Sequence, residues 1–390
     1  MAVRTVMDDV LDRAIEAGRV PGVVAMAANA DGLLYEGAFG KRTAGGDAAM
    51  SLDTVFFLAS MTKAVTCVAA MQQVERGNID LDEPIGRIVP ELADPHVLDG
   101  FDASGAPILR AARRPITLRL LLSHTSGFAY DTWNGEIRRY VQVNGIPSAG
   151  TGRRAGLMVP LVSDPGTRWE YSIGIDWAGQ AVERTSGLDL EAYFRVNICE
   201  PLGMSDTGFL LRPDQRARKA GVHQRTGDTS FDVLDHETNQ QPEFFPGGGG
   251  LYSVGRDYLA FLQMLLHDGT LNGAQILKSK SVTELNRNQI GDLPVTMMKS
   301  YDPRRSNDAE LFPGMLKRWT LGYLMTTEQT PTGRAAGSLA WGGIANTYYW
   351  LDPTQKVTGL ILTQILPFAD PTVLEVFGQF ERAVYDSLSA

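Results

Sequence analysis

One long, largely apolar stretch, Phe57-Leu58-Ala59-Ser60-Met61-Thr62-Lys63-Ala64-Val65, is continued by Val68-Ala69-Ala70-Met71. The pattern predicts an extended segment turning into a helix, with few polar positions until Gln72 and Gln73 and a C-cap at Gly77. A helix that is apolar on nearly every side belongs in the interior. Before it, the chain from about Arg4 to Ala17 alternates charged and apolar positions as an amphipathic helix does. Two strand-like runs, Pro21 to Ala28 and Leu33 to Phe39, flank the hairpin signal Asn29-Ala30-Asp31-Gly32.

From about Leu81 to Asn288 the pattern is mainly helical segments broken by Gly and Pro: Leu118 to Leu122, Asp176 to Thr185, Leu190 to Ile198 and Arg256 to Leu266. Long polar loops are expected at 211–245 and 296–318, the kind that often line or cover a site. The chain closes with strand-like runs at Trp319 to Thr327, Ala335 to Trp341, Thr347 to Leu351 and Lys356 to Gln364, then a helix from Pro371 to Leu388. Sequential strands with short connections predict an antiparallel sheet, which the N-terminal hairpin completes. The expected fold class is therefore mixed α/β (α+β): an antiparallel sheet flanked by helices, plus a mostly helical part.

Composition narrows the partners. Among 390 residues the formal net charge is −9, and the Arg-Arg pairs at 113–114, 153–154 and 304–305 are isolated. That balance argues against nucleic acid or an anionic membrane as partner. No 18-residue apolar span exists and the start lacks a signal-peptide core, so a cytoplasmic location is expected. Cys67 and Cys199 cannot build a disulfide framework, and the five histidines lack metal-ligand spacing. No metal or other cofactor is expected.

Four stretches carry candidate chemistry. Ser60 and Lys63 stand three apart at a helix start and so share a face. A serine hydroxyl needs a neighbouring base, and a lysine serves if burial disfavours its ammonium form. The competing reading is an N-capping serine beside a solvated lysine. Pro165-Gly166-Thr167-Arg168-Trp169-Glu170-Tyr171 delivers a tyrosine to a helix start, either a proton carrier or a core residue. Trp341-Gly342-Gly343-Ile344 puts paired glycines in a strand, marking close approach of a ligand to the backbone or a bulge. There the Ile344 N–H is expected to face the Ser60 N–H as an oxyanion hole. Gly247 to Gly250 reads as a turn, since no Gly-Lys-Ser/Thr follows. His124 reads as structural, because no Gly-x-Ser-x-Gly elbow accompanies it.

Ser60-x-x-Lys63, Tyr171-Ser172-Ile173 and Trp341-Gly342-Gly343, in that order, resemble the three signatures of the serine β-lactamase and penicillin-binding protein superfamily. Leu121-Leu122-Ser123-His124-Thr125-Ser126-Gly127 and the glycines before Leu251 are also similar to family signatures. Within the superfamily the chain looks most like family VIII carboxylesterases, which resemble class C β-lactamases. The resemblance implies a β-lactamase/transpeptidase-like fold. Its α/β domain would comprise residues 1–85 and 295–390, its helical domain residues 86–294, with the active site between them. It implies Ser60 as nucleophile, Lys63 and Tyr171 as proton-transfer pair, Ser60 and Ile344 as oxyanion hole, and Trp341, Gly342 and Gly343 against the substrate. Ile173 stands where class C lactamases have an asparagine, and Trp341 where they have a lysine. Both changes remove partners for anionic, peptide-like substrates. The function expected is hydrolysis of short- to medium-chain esters through an acyl-enzyme. The alternatives are a β-lactamase or D-amino-acid peptidase, an acyltransferase using the same acyl-enzyme, and a catalytically silent binding module.

Overall fold

The computed structural model describes residues 2–388. Its frame is a seven-stranded antiparallel sheet built from the two ends of the chain. The strands are β1 (Gly22–Asn29), β2 (Gly32–Gly40), β3 (Lys317–Trp319), β4 (Leu324–Thr326), β5 (Leu339–Gly343), β6 (Thr347–Asp352) and β7 (Val357–Leu362). They lie in the order β3-β4-β5-β6-β7-β1-β2. The N-terminal hairpin does complete the C-terminal sheet, with Val24 opposite Leu362 and Asn29 opposite Val357. Its turn follows the sequence signal: Asn29 Oδ1 accepts the N–H groups of Asp31 at 2.9 Å and Gly32 at 3.0 Å.

The central strands are buried on both faces, which explains their continuous apolar runs. Five helices matter for the argument: α1 (Ala2–Glu16), α2 (Thr62–Glu75), α3 (Gly174–Ser186), α4 (Gly255–Leu266) and α5 (Pro371–Leu388). Along β6 the side chains alternate between two covers. Tyr348 and Trp350 pack on Phe377 of α5, while Tyr349 packs on Tyr258 of α4. Between sheet and α5 sits the buried ion pair Arg334–Glu381, to which Thr332 also donates. Helix α4 falls in the segment expected to be helical domain, yet it packs on β1 and β7, where Gly255 meets Met26.

Every residue of α2 from Thr62 to Gln73 is buried, Lys63 included. Each large apolar side chain so enclosed contributes roughly 1.5–3 kcal/mol. Helix α3 packs along it, and Cys67 faces the turn between β3 and β4. A Cβ on Gly322 in that turn would lie 2.6 Å from Cys67 Sγ. That turn also divides the run Trp319 to Thr327. Its residues form two antiparallel strands, because Thr320 Oγ1 accepts the Tyr323 N–H at 3.2 Å and Gly322 takes a φ of +112°.

The expected loop 211–245 holds more structure than its polarity suggests. It carries a short helix, Pro213–Arg218, and two strands: Val222–Arg225 pairs with Ile365–Leu366 on one edge and with Phe231–Leu234 on the other. The helical middle likewise contains an antiparallel hairpin, His96–Phe101 with Pro107–Ala111. No described helix is long and apolar enough to cross a membrane.

Candidate active site

Helix α2 does not begin at Ser60. A turn of 3-10 helix, Ala59–Met61, precedes it, and Ala59 adopts a φ of +47°. A non-glycine residue in that region is uncommon and is held there by its surroundings. Here Thr62 Oγ1 donates to the Ala59 carbonyl at 2.6 Å and accepts the N–H groups of Gly250 and Leu251 at 3.1 Å. The glycine run 247–250 is thus a turn packed against the nucleophile's own turn. A Cβ on Gly249 would meet the Ala59 carbonyl carbon at 3.3 Å.

Ser60 and Lys63 do share a face. Lys63 Nζ donates to Ser60 Oγ at 3.1 Å, to Tyr130 Oη at 3.1 Å and to the Gly248 carbonyl at 2.5 Å. One nitrogen thus reaches three oxygens at hydrogen-bond distance. Tyr130 Oη in turn donates to Asp176 Oδ2 at 3.3 Å, and Asp176 Oδ1 accepts the Gly248 N–H at 2.8 Å. Lys63, Tyr130, Asp176 and the Gly248 backbone close into a ring, from which half-buried Ser60 branches at Lys63.

Burial pushes the Tyr130 phenol well above its ordinary pKa, and the neighbouring Asp176 carboxylate adds to this. The phenol therefore stays protonated at neutral pH. Burial also raises the Asp176 carboxyl, opposed by the Lys63 charge and by its hydrogen bonds from Gly248 and Tyr130. His124, expected to be structural, is fully buried and kept neutral by that burial; its Nδ1 accepts the Ser172 N–H at 3.2 Å.

Tyr171 sits elsewhere than expected. Its hydroxyl accepts the Trp341 indole N–H at 3.0 Å, and Lys63 Nζ lies over its ring, 4.7 Å from the centroid. The phenol brought to Lys63 is Tyr130. Trp341 is also displaced from its expected place. Only 4% exposed, it packs on Trp319 and Tyr171 and is not among the residues lining the cavity that contains Ser60. The paired glycines make room for the protein's own atoms, a side chain at Gly342 and a backbone at Gly343. A Cβ on Gly343 would lie 2.2 Å from the Leu58 carbonyl oxygen, and one on Gly342 would lie 2.5 Å from Tyr348 Cδ1. That contact seats the end of β5 against the Ser60 turn, so Ile344 opens into the same cavity as Ser60.

The cavity measures about 730 Å³. Ser60, Tyr130, Asp176 and Ile344 line it, and so do Trp133, His236 and Arg305. Such a volume holds a drug-sized molecule. Sequence reasoning missed Tyr130 and Asp176. Tyr130 lies three positions beyond the quoted stretch ending at Gly127. Asp176 is an acid within a helical stretch, Gly174 to Val182, that the fold buries throughout.

The chain from residue 7 to 376 matches the family model described as Beta-lactamase. Monacolin J acid methylbutanoyltransferase from Aspergillus terreus is 36% identical, over 97% of this chain and 95% of that protein. Lovastatin esterase from Penicillium rubens is 32% identical, over 98% of this chain and 99% of that protein. The solved structure of unliganded simvastatin synthase (LovD) from Aspergillus terreus superposes with a TM-score of 0.86 at 32% identity, covering 99% of each chain. These matches run through both ends of the sheet and the whole helical middle, so the chain belongs to the Beta-lactamase family and is an enzyme of it.

Proposed function

We propose that the protein is a serine acyltransferase that loads an acyl group onto Ser60 and passes it to an alcohol, with hydrolysis of the same acyl-enzyme as a competing outcome. The order of preference thus reverses the one expected from sequence, where esterase came first. The observation that carries the reading is the contact of Lys63 with both Ser60 and Tyr130 on the wall of a cavity roomy enough for donor and acceptor. The similarity to both a methylbutanoyltransferase and an esterase supports a shared acyl-enzyme. The family VIII assignment is not needed for it.

Ser60 Oγ attacks the donor carbonyl as its proton passes to the Lys63 amine. The oxyanion is held by the N–H groups of Ser60 and Ile344. Lys63 hands the proton on to Tyr130 as the phenol gives its own to the leaving group, which departs neutral. The steps then run in reverse with the acceptor hydroxyl as nucleophile, and the last proton returns to Ser60. A phenol that burial keeps protonated suits this donor role better than that of resting base. Tyr171 acts here through its ring, which faces Lys63, and Trp341 fixes that ring by its hydrogen bond. The cavity takes its walls from distant parts of the chain, Ala59 and Ile344 as well as Tyr130 and Ser148.

Incubation with a short acyl thioester, with and without monacolin J acid as trial acceptor, tests the reading by mass spectrometry. An acyl adduct on Ser60 and an acylated acceptor are expected. Water as sole acceptor across a panel of alcohols would restore the esterase reading.

A further inference from the structure

His223 has no part in the chemistry above, yet it is only 2% exposed and follows Val222, which lines the Ser60 cavity. Its ring is held from two sides. Nδ1 lies 2.9 Å from the Gln364 carbonyl, and Nε2 accepts the Ala44 N–H at 2.9 Å. A carbonyl only accepts, so Nδ1 carries the proton; a backbone N–H only donates, so Nε2 carries none. Both bonds are made by one tautomer of the neutral ring. Burial keeps the imidazole below its ordinary pKa, against the bond to Gln364. The charged side chains on the elements around it are Arg225 on its own strand, Asp232 on the paired one, and Lys41, Arg42 and Asp47 in the loop that carries Ala44. Arg225 is bound to Asp370 and Arg42 to Asp53, and both partners of the imidazole are uncharged backbone groups.

The same connection reaches the nucleophile. The Gln364 carbonyl accepts the backbone N–H of His223 at 2.8 Å as well as its Nδ1–H. The Gln364 side chain clasps Phe57 twice: Oε1 accepts the Phe57 N–H at 3.1 Å, and Nε2 donates to the Phe57 carbonyl at 3.0 Å. Phe57 lines the cavity and stands three residues before Ser60. On the other side, the Gly221 N–H donates to the Arg42 carbonyl and the Ala220 N–H to the Val55 carbonyl, each at 2.9 Å. The segment 220–224 is therefore wedged between the 41–49 loop and the strand that leads to Ser60. A protonated His223 would set an Nε2–H against the Ala44 N–H, two donors with no acceptor between them. The ring cannot withdraw from Ala44 without pulling on the Gln364 carbonyl, which His223 holds by two bonds.

We propose that His223 is a positioning residue for Ser60: its neutral ring locks the 41–49 loop to the Gln364 clasp on Phe57, and its protonation releases that lock and slows reaction at Ser60. This role rests on the acyl-transfer reading only in taking Ser60 as the nucleophile. Two substitutions test it. In His223→Gln the side-chain oxygen can take the place of Nε2 and accept from Ala44, but it does not titrate. The side chain in His223→Asn is too short to reach Ala44. Ser60 reactivity is the rate of labelling by a fluorophosphonate, followed by intact mass from about pH 7.5 to about pH 4.5. Hydrogen exchange at Ala44 is followed over the same range. In the wild type, acid should slow labelling by about 5-fold or more beyond its effect on His223→Gln, and should expose Ala44 to exchange. His236 on the cavity wall also titrates in acid, and His223→Gln, which retains it, subtracts its share. At neutral pH His223→Gln should label near the wild-type rate, and His223→Asn should label slowly with Ala44 unprotected. Should His223→Asn fail to fold, the acid limbs of the wild type and His223→Gln decide alone. The wild-type acid limb in His223→Gln, equal labelling of the two variants at neutral pH, or lost Ala44 protection with labelling unchanged overturns the proposal. Transfer to an alcohol is read separately with the thioester donor. Its failure would strike the acyl-transfer reading and leave this result standing.

Discussion

Lys63 Nζ and Tyr130 Oη meet at 3.1 Å although 67 positions separate them in the chain, and Ser60 Oγ lies at the same distance from that amine. One nitrogen therefore links the hydroxyl to be activated and the phenol able to return its proton. Asp176 and the Gly248 carbonyl fix the far side of the ring. The chemistry depends on keeping these groups together in a buried place.

The first expectation concerns this set. Ser60→Ala should abolish the acyl adduct and lower kcat by about 10³-fold or more, as loss of a nucleophile does. Tyr130→Phe should lower acylation by about 10²-fold or more, and a cycle with Lys63→Met should be strongly non-additive. Tyr171→Phe keeps the ring that faces Lys63, and its effect should be smaller. Rapid-quench acylation rates decide between the phenols. A larger loss in Tyr171→Phe than in Tyr130→Phe would return the proton-transfer role to Tyr171.

Gly343→Ala tests the seat of the oxyanion hole. The new Cβ would fall 2.2 Å from the Leu58 carbonyl oxygen, so β5 must shift away from the Ser60 turn. Overpacking of this kind costs typically 1–3 kcal/mol, and the Ile344 N–H moves with the strand. Acylation should fall more than substrate binding does, read as kcat against Kd. Unchanged acylation would show that Ile344 is not a donor.

Asp257, in the first turn of α4, gives the pH dependence. Burial raises its carboxyl to about 6 despite hydrogen bonds from the Asp206 N–H and the Thr207 hydroxyl. Its native pKa lies above that of the unfolded chain, so the native state holds the extra proton. This contribution to stability is present below about 4 and is lost as pH rises through about 6, on the order of 2–3 kcal/mol in all. Asp257→Asn should flatten that segment of the stability curve, measured by denaturant unfolding from pH 4 to 7.5. An identical slope in the variant would remove Asp257 as its source.

Arg334 and Glu381 form a pair in which each side chain is only 1% exposed. Glu381→Gln leaves a buried guanidinium without its counter-charge, and breaking such a pair costs about 3–5 kcal/mol. A sharp drop in melting temperature with little change in residual kcat is expected. The double replacement Arg334→Met with Glu381→Leu should recover much of the loss.

Local pattern alone determined a good deal. The N-terminal hairpin follows from Asn29 and Gly32, whose turn needs no distant partner. Helix α2 follows from its nearly unbroken apolar run and α5 from its apolar periodicity. The pairing of Ser60 with Lys63 follows from helical spacing, because residues three apart share a face wherever the helix is put. The three signature stretches were enough to reach the family. Tertiary structure decided the rest. Which tyrosine meets Lys63 depends on how the loop after Gly127 folds over α2, and Gly248 reaches the same amine from 185 positions away. Gly342 and Gly343 read as room for a ligand until the strand proved to pack on the Leu58 carbonyl. Trp341 read as a substrate wall until its indole was found bonded to Tyr171. Such outcomes turn on contacts between distant segments, for which a one-dimensional pattern carries no distance.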